Sequence, residues 1–118
     1  MPLLELNQLN DLQLAPGVTA KIITADSMTV AHVHLKAGSP LPEHSHVHEQ
    51  VVNVVDGELE LTVAGTPHRL TRGKVFVLPS NIPHSARAIS DCYVIDVFHP
   101  VREDFRGTTF VGYDGSDD

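Results

Sequence analysis

The chain has a single cysteine, Cys92, among its 118 residues, so no intrachain disulfide can form; that usage fits a reducing compartment, the cytoplasm. Cations are scarce too. Eight Lys and Arg stand against fifteen Asp and Glu, for a formal charge of −7. The cations are scattered and form no stripe to displace counterions, so nucleic acid and anionic membranes are disfavoured as partners. An anionic small molecule would need a local cation inside a site. No apolar run approaches the ~20 residues of a membrane span. The opening MPLLELNQLNDLQL has no basic leader, and Glu5 and Asp11 interrupt its leucines, so it does not read as a signal peptide. Internal repeats are absent, and no internal segment sustains helical periodicity.

What the chain does have is punctuation. Pro16-Gly17, Gly38-Ser39-Pro40, Asp56-Gly57, Gly65-Thr66-Pro67, Gly73 and the segment from Pro79 to Pro83 cut it into short pieces. Between them lie VTAKIITA, MTVAHVHL, VVNVV, ELELTV, VFVL, HSARAI and YVIDVF, rich in Val, Ile, Leu and Thr. Leu59, Leu61 and Val63 alternate with Glu58, Glu60 and Thr62, which places the leucines and the valine on one face of a strand. Many short strands with regular turn signals predict an all-β sandwich or barrel, one domain spanning residues 1–118. Leu3, Leu6, Leu9 and Leu12 open the chain as a short helix or an irregular arm, over about residues 1–15. The polar, acidic tail, about residues 112–118, is expected to be disordered.

In LPEHSHVHEQVVNVVDG, three histidines, a glutamate and a glutamine fall within the seven positions 44–50, directly before a valine run. His44 and His46 are two apart, so on a strand both rings share a face. Gln50 is in step with them, but four strand residues span roughly 13 Å, whereas a metal bond is about 2 Å. A shared site therefore requires a bend before Gln50. His84 follows PSNIP, a rigid turn in which Asn81 tolerates a left-handed conformation. Three imidazoles and an amide suit one borderline divalent metal: Zn, Ni, Fe, Co or Mn. Glu49 is one residue out of register, and a one-residue bulge would exchange it for Gln50. His48 stays open between ligand and surface residue. His32 and His34 read as non-ligands, and His68 and His99 as ordinary surface histidines.

These positions resemble a known pattern. Gly38, five residues, His44-x-His46, three residues, Gln50, six residues and Gly57 are similar to the first motif of the cupin superfamily, with Gln50 at the usual glutamate. Gly73, five residues, Pro79-x-Asn81, two residues and His84 resemble the second motif; Asn81 replaces its glycine and Ala88 its asparagine. The resemblance implies a double-stranded β-helix, or jelly-roll barrel, with a metal at its mouth held by His44, His46, Gln50 and His84. A neutral amide at position 50 would leave the ion's charge uncompensated, a stronger Lewis acid toward an anion. Small cupins commonly dimerise, which implies a homodimer with the apolar arm crossing to its partner.

A narrower likeness covers about residues 35–105. His44-Ser45-His46 with Glu49-Gln50, NIPHSARA and DVFHPVREDF look like the uronate-processing cupins of pectin and alginate breakdown. Members of that group convert 4,5-unsaturated monouronates into linear keto forms, and the resemblance implicates Asp96, Phe98 and Arg102. By alternation Val94, Asp96 and Phe98 share one strand face. An acid in an apolar strand is costly to bury unpaired, so it is at the barrel mouth, paired or kept for proton transfer. Arg102 suits a substrate carboxylate, with Glu103 and Asp104 as rival partners. Arg87 is out of phase with His84 and reads as structural. Two alternatives stand beside this reading: a metal-dependent dioxygenase and a non-catalytic sugar-binding module.

Overall fold

The computed structural model describes residues 1–106 and Tyr113. Among these residues ten strands form: β1 (Leu12–Ala15), β2 (Val18–Thr24), β3 (Thr29–Leu35), β4 (Pro40–His44), β5 (Glu49–Asp56), β6 (Glu58–Val63), β7 (Thr66–Thr71), β8 (Val75–Leu78), β9 (His84–Ala88) and β10 (Cys92–His99). Two short 3₁₀ turns, Leu6–Gln8 and Glu103–Phe105, flank them. The strands make two antiparallel sheets, ordered β1-β2-β3-β10-β5-β8 and β4-β9-β6-β7. The all-β expectation holds, and the fold is a single two-sheet barrel. No helix of the described residues is long and apolar enough to cross a membrane.

The seven stretches read from sequence correspond to β2, β3, β5, β6, β8, β9 and β10. The strands they missed, β1, β4 and β7, all lie on sheet edges. Edge strands are half solvated and tolerate proline, so PLPEH and TPHRLT lack the apolar alternation that marks interior strands. β1 joins the six-stranded sheet, and its Leu14 and Ala15 are buried in the core. The last residues of the expected N-terminal arm thus belong to the barrel, while the rest combines extended chain with the 3₁₀ turn. Of the acidic tail only Tyr113 is among the described residues.

One core fills the space between the sheets. Ala31, Val33, Val52, Val54 and Val94 enter from the larger sheet and Leu59, Leu61, Val63 and Ala88 from the smaller. The alternation read in ELELTV is the observed one, with every second residue buried. Where β5 turns tightly into β6, Gly57 adopts φ 89°, and a Cβ there would strike the Asp91 carbonyl and approach Cys92 Cα to 2.9 Å. Gly57→Ala is therefore expected to lower stability by about 2–4 kcal/mol. Chemical denaturation checks this; a loss under about 0.5 kcal/mol would show that the turn accommodates a side chain.

Candidate functional site

Strand register joins two of the histidines. His44 ends β4 and His84 opens β9, directly opposite in the ladder, with ring centroids 4.3 Å apart. His46 does not share a strand with His44 as the spacing predicted. β4 ends at His44, and His46 lies in the bend leading to β5. The PSNIP turn holds that bend. The Asn81 amide donates to the His46 carbonyl at 2.8 Å, and the Ser80 hydroxyl donates to the Val47 carbonyl. Asn81 takes φ 65°, the left-handed conformation expected of it. The His46 ring thereby comes to 5.8 Å from that of His44 and 5.0 Å from that of His84. One nitrogen from each of the three lies within 4.8 Å of the others.

All three rings are pinned in the same way. Nδ1 lies 2.7 Å from the Pro42 carbonyl in His44, 3.0 Å from the His48 carbonyl in His46, and 2.9 Å from the Ile82 carbonyl in His84. A carbonyl only accepts, so each Nδ1 carries the proton and each Nε2 keeps its lone pair. Nε2 of His84 is buried with no partner among the described residues. Nε2 of His46 faces Gln50 Oε1 at 3.1 Å, two acceptors in contact with the amide in this orientation. An orphaned buried acceptor and an acceptor pair are costly alone and are relieved by a cation. Burial holds His44 and His46 down at about 4, reinforced by the other imidazoles and the Arg102 guanidinium against the pull of the backbone carbonyls. Burial lowers His84 as well. The cluster is thus neutral at ordinary pH, the form in which imidazole binds metals. These residues fit a single divalent ion.

The larger sheet supplies the other wall. β5 runs without a bulge through its first residues, so Gln50 points inward and is 7% exposed while Glu49 points out to solvent. Gln50 pairs across the ladder with Phe98, and Asp96 is two residues along the same face of β10. Oδ1 of Asp96 is buried without a hydrogen-bond partner among the described residues. Burial pushes this carboxyl up to about 7, against the downward pull of the Gln50 amide and the Arg102 charge. Asp96 and Phe98 share a cleft with His44, Gln50 and His84, and much of its remaining wall is apolar, including Val33, Val52 and Leu61.

Arg102 is 3% exposed and differs from a free anion receptor. Its Nε and Nη2 donate to the two Asp104 carboxylate oxygens at 2.9 and 2.7 Å, and its Nη1 donates to the Tyr113 hydroxyl at 3.2 Å. The guanidinium also stacks over Phe105, 4.0 Å from the centroid, and lies 4.8 Å from that of Phe98. Asp104 was among the partners the sequence offered; Phe105 and Tyr113 were not foreseen. Tyr113 lines the cleft, stacks on His44 at 4.1 Å and is tied to β1 by its amide and the Leu14 carbonyl. Its signal was one aromatic residue in an otherwise acidic and glycine-rich tail.

The remaining candidates lie outside this cluster. His48 sits behind His46, its Nε2 3.2 Å from the Val101 carbonyl. His32 and His34 face outward on β3 and meet Tyr93, His32 through the hydroxyl at 2.6 Å and His34 by stacking at 4.7 Å. His68 packs on Phe76, while His99 and Arg87 are exposed.

Residues 31–98 match the family model described as the cupin domain. The chain is 31% identical over 96 residues to the pectin degradation protein KdgF of Dickeya dadantii, covering 79% of this chain and 87% of that protein. Among solved structures, KdgF from a Halomonas species superposes with TM-score 0.78 at 32% identity, over 83% of this chain and 92% of that one. An RmlC-like cupin from Shewanella frigidimarina gives TM-score 0.79 at 29% identity, over 84% and 90%.

The lowered imidazoles set a pH dependence for the metal-free chain. Unfolding returns His44 and His46 from about 4 to their ordinary 6.5. Between those values the unfolded state binds more protons, so stability falls as pH drops through that window. Asp96 acts in the opposite sense between its ordinary 3.8 and about 7, but it is one carboxyl against two imidazoles, with His84 adding to their side. The melting midpoint of chelator-treated protein is expected to be lower at about pH 5 than at about pH 7.5. A midpoint that rises on acidification would contradict the buried, neutral cluster.

Proposed function

The chain belongs to the cupin family, and from that premise we propose that it converts 4,5-unsaturated monouronates to their linear keto forms. The observation that carries this reading is the Asp96 carboxyl, buried with an unpartnered Oδ1 in the same cleft as His44, Gln50 and His84. Binding alone hardly needs an acid buried at that position. The likeness to a pectin degradation protein supports the choice of substrate.

His44, His46, Gln50 and His84 would hold one divalent transition ion. Such an ion supplies a Lewis acid that stabilises negative charge on substrate oxygens. The chain's own groups then do the proton work. Asp96, as carboxylate, takes the proton from the anomeric hydroxyl. The C1–O bond to the ring oxygen breaks, C1 becomes a carbonyl, and the released electron pair leaves an enolate at C5. Asp96, now protonated, gives its proton to C4; C5 becomes a ketone and the carboxylate is restored. The product is an isomer of the substrate, with no oxidant or water consumed. A carboxyl titrating near neutrality suits both halves of this exchange. Phe98 offers a flat apolar wall to the sugar ring. Asp104 occupies the Nε edge of Arg102, so the Nη1 side, where the Tyr113 hydroxyl now sits, is the edge for the substrate carboxylate.

Asp96→Asn keeps the shape of the side chain and removes its proton transfer. With fresh lyase-generated unsaturated galacturonate, loss of the ultraviolet absorbance of the conjugated double bond is expected to slow by about 10²–10⁴-fold. Metal content per chain is expected to stay at the wild-type level. An unchanged rate would remove Asp96 from the chemistry, and an unchanged rate after His84→Ala and chelation would remove the metal.

A further inference from the structure

Tyr113 joins the imidazole cluster to the guanidinium. Its amide donates to the Leu14 carbonyl at 2.9 Å, which ties it to β1. Its ring stacks on His44, with centroids 4.1 Å apart and planes at 27°, and meets Phe105 edge-on at 6.5 Å. Its hydroxyl accepts from Arg102 Nη1 at 3.2 Å. A sugar reaching from the imidazoles to Arg102 runs alongside this ring, which lines the same cleft as Asp96 and Phe98. Packing accounts for the ring but not for the hydroxyl, since a phenylalanine would stack on His44 and Phe105 in the same way.

We propose that Tyr113 is a substrate-binding residue whose hydroxyl, together with Arg102, receives the carboxylate of the sugar and sets the preference for uronates over neutral sugars. The inference rests on the uronate reading above. Arg102 only donates, so the hydroxyl oxygen is the acceptor in their contact and its proton is directed away from the guanidinium. Nε and one N–H of Nη2 are committed to Asp104, at 2.9 and 2.7 Å. Nη1 carries two N–H groups, and the contact with Tyr113 uses one of them. A carboxylate arriving on that side meets an N–H and an O–H side by side, two donors for its two oxygens. Arg102 and Phe98 are buried there, where hydrogen bonds to an anion are stronger than in water. A neutral sugar carries a hydroxymethyl group in place of the carboxylate and does not accept both bonds as an anion does, so the donor pair discriminates against it. The carboxylate makes and breaks no covalent bond in the proposed reaction. Its hydrogen bonds therefore act alike on the ground state and the transition state, and their loss falls on KM rather than on kcat.

Tyr113→Phe keeps the ring and removes the donor. In the metal-loaded, full-length protein, KM for lyase-generated unsaturated galacturonate is expected to rise about 10-fold or more, with kcat within about twofold of wild type. Metal content per chain is expected to stay at the wild-type level. Calorimetry with saturated galacturonate, which has the carboxylate but does not react, is expected to show the same loss of affinity, and its advantage over galactose is expected to shrink by the same factor. Tyr93→Phe, at the chain's other tyrosine, whose hydroxyl meets His32 on the outer sheet face, is expected to leave both measurements unchanged. Normal turnover with an unchanged KM would overturn the role of Tyr113 and leave the reaction in place. A lower KM would overturn it too, by showing that the hydroxyl competes with the carboxylate for Arg102. Galacturonate binding that is weakened by Tyr113→Phe in a protein without turnover would instead keep the anion site and remove the reaction.

Discussion

The site rests on one repeated interaction: a backbone carbonyl accepting the Nδ1 proton of each of three imidazoles. A ring held this way has no choice of tautomer, so its remaining lone pair points where the backbone directs it. One ring nitrogen from each of His44, His46 and His84 lies within 4.8 Å of the others, in a place where burial disfavours the protonated rings. The carbonyls belong to Pro42, His48 and Ile82, each two residues from its histidine. The clamps are therefore local and depend only on the two chain segments being held side by side. The β4–β9 ladder and the bonds from Ser80 and Asn81 to the His46–Val47 bend hold them.

The two sheets divide the work. The smaller sheet and its loops bring the imidazoles; the larger brings Gln50, Asp96 and Phe98 on adjoining strands. Gln50 links the halves, with its oxygen toward His46 and its amide acting on Asp96. A glutamate there would set a second anion beside Asp96, which burial already keeps from ionising readily. In the proposed reaction the neutral amide thus has two consequences: it leaves the charge of an ion available to an anionic sugar, and it lets Asp96 lose and regain its proton. Behind them, Arg102 is fixed by Asp104 and aromatic rings rather than left mobile.

How legible this was in sequence varied with how local the cause is. Period-2 alternation showed the interior strands, the inward parity of Asp96 and Phe98, and the outward parity of Glu49 and Arg87, because parity is a property of one strand. Three of the four edge strands were lost, β4 and β7 because these half-solvated segments carry prolines and polar residues. The His44–His46 spacing pointed to a common site through the wrong geometry: the rings converge because the chain leaves β4 between them and the PSNIP turn grips it, a contact made across more than thirty residues. Tyr113 was illegible for the same reason. Nothing within the tail shows that its aromatic ring stacks on His44.

The tautomers test the central claim most directly. Long-range ¹H–¹⁵N correlation spectra of the histidine rings, recorded on metal-free protein and during titration with zinc, report the protonation of each nitrogen. The three rings of His44, His46 and His84 are expected to show a protonated Nδ1 and a bare Nε2 before metal, with all three Nε2 resonances moving together and saturating at one equivalent. Rings protonated at Nε2, or Nε2 signals that ignore the ion, would contradict a cluster preset by its backbone carbonyls to receive a single cation.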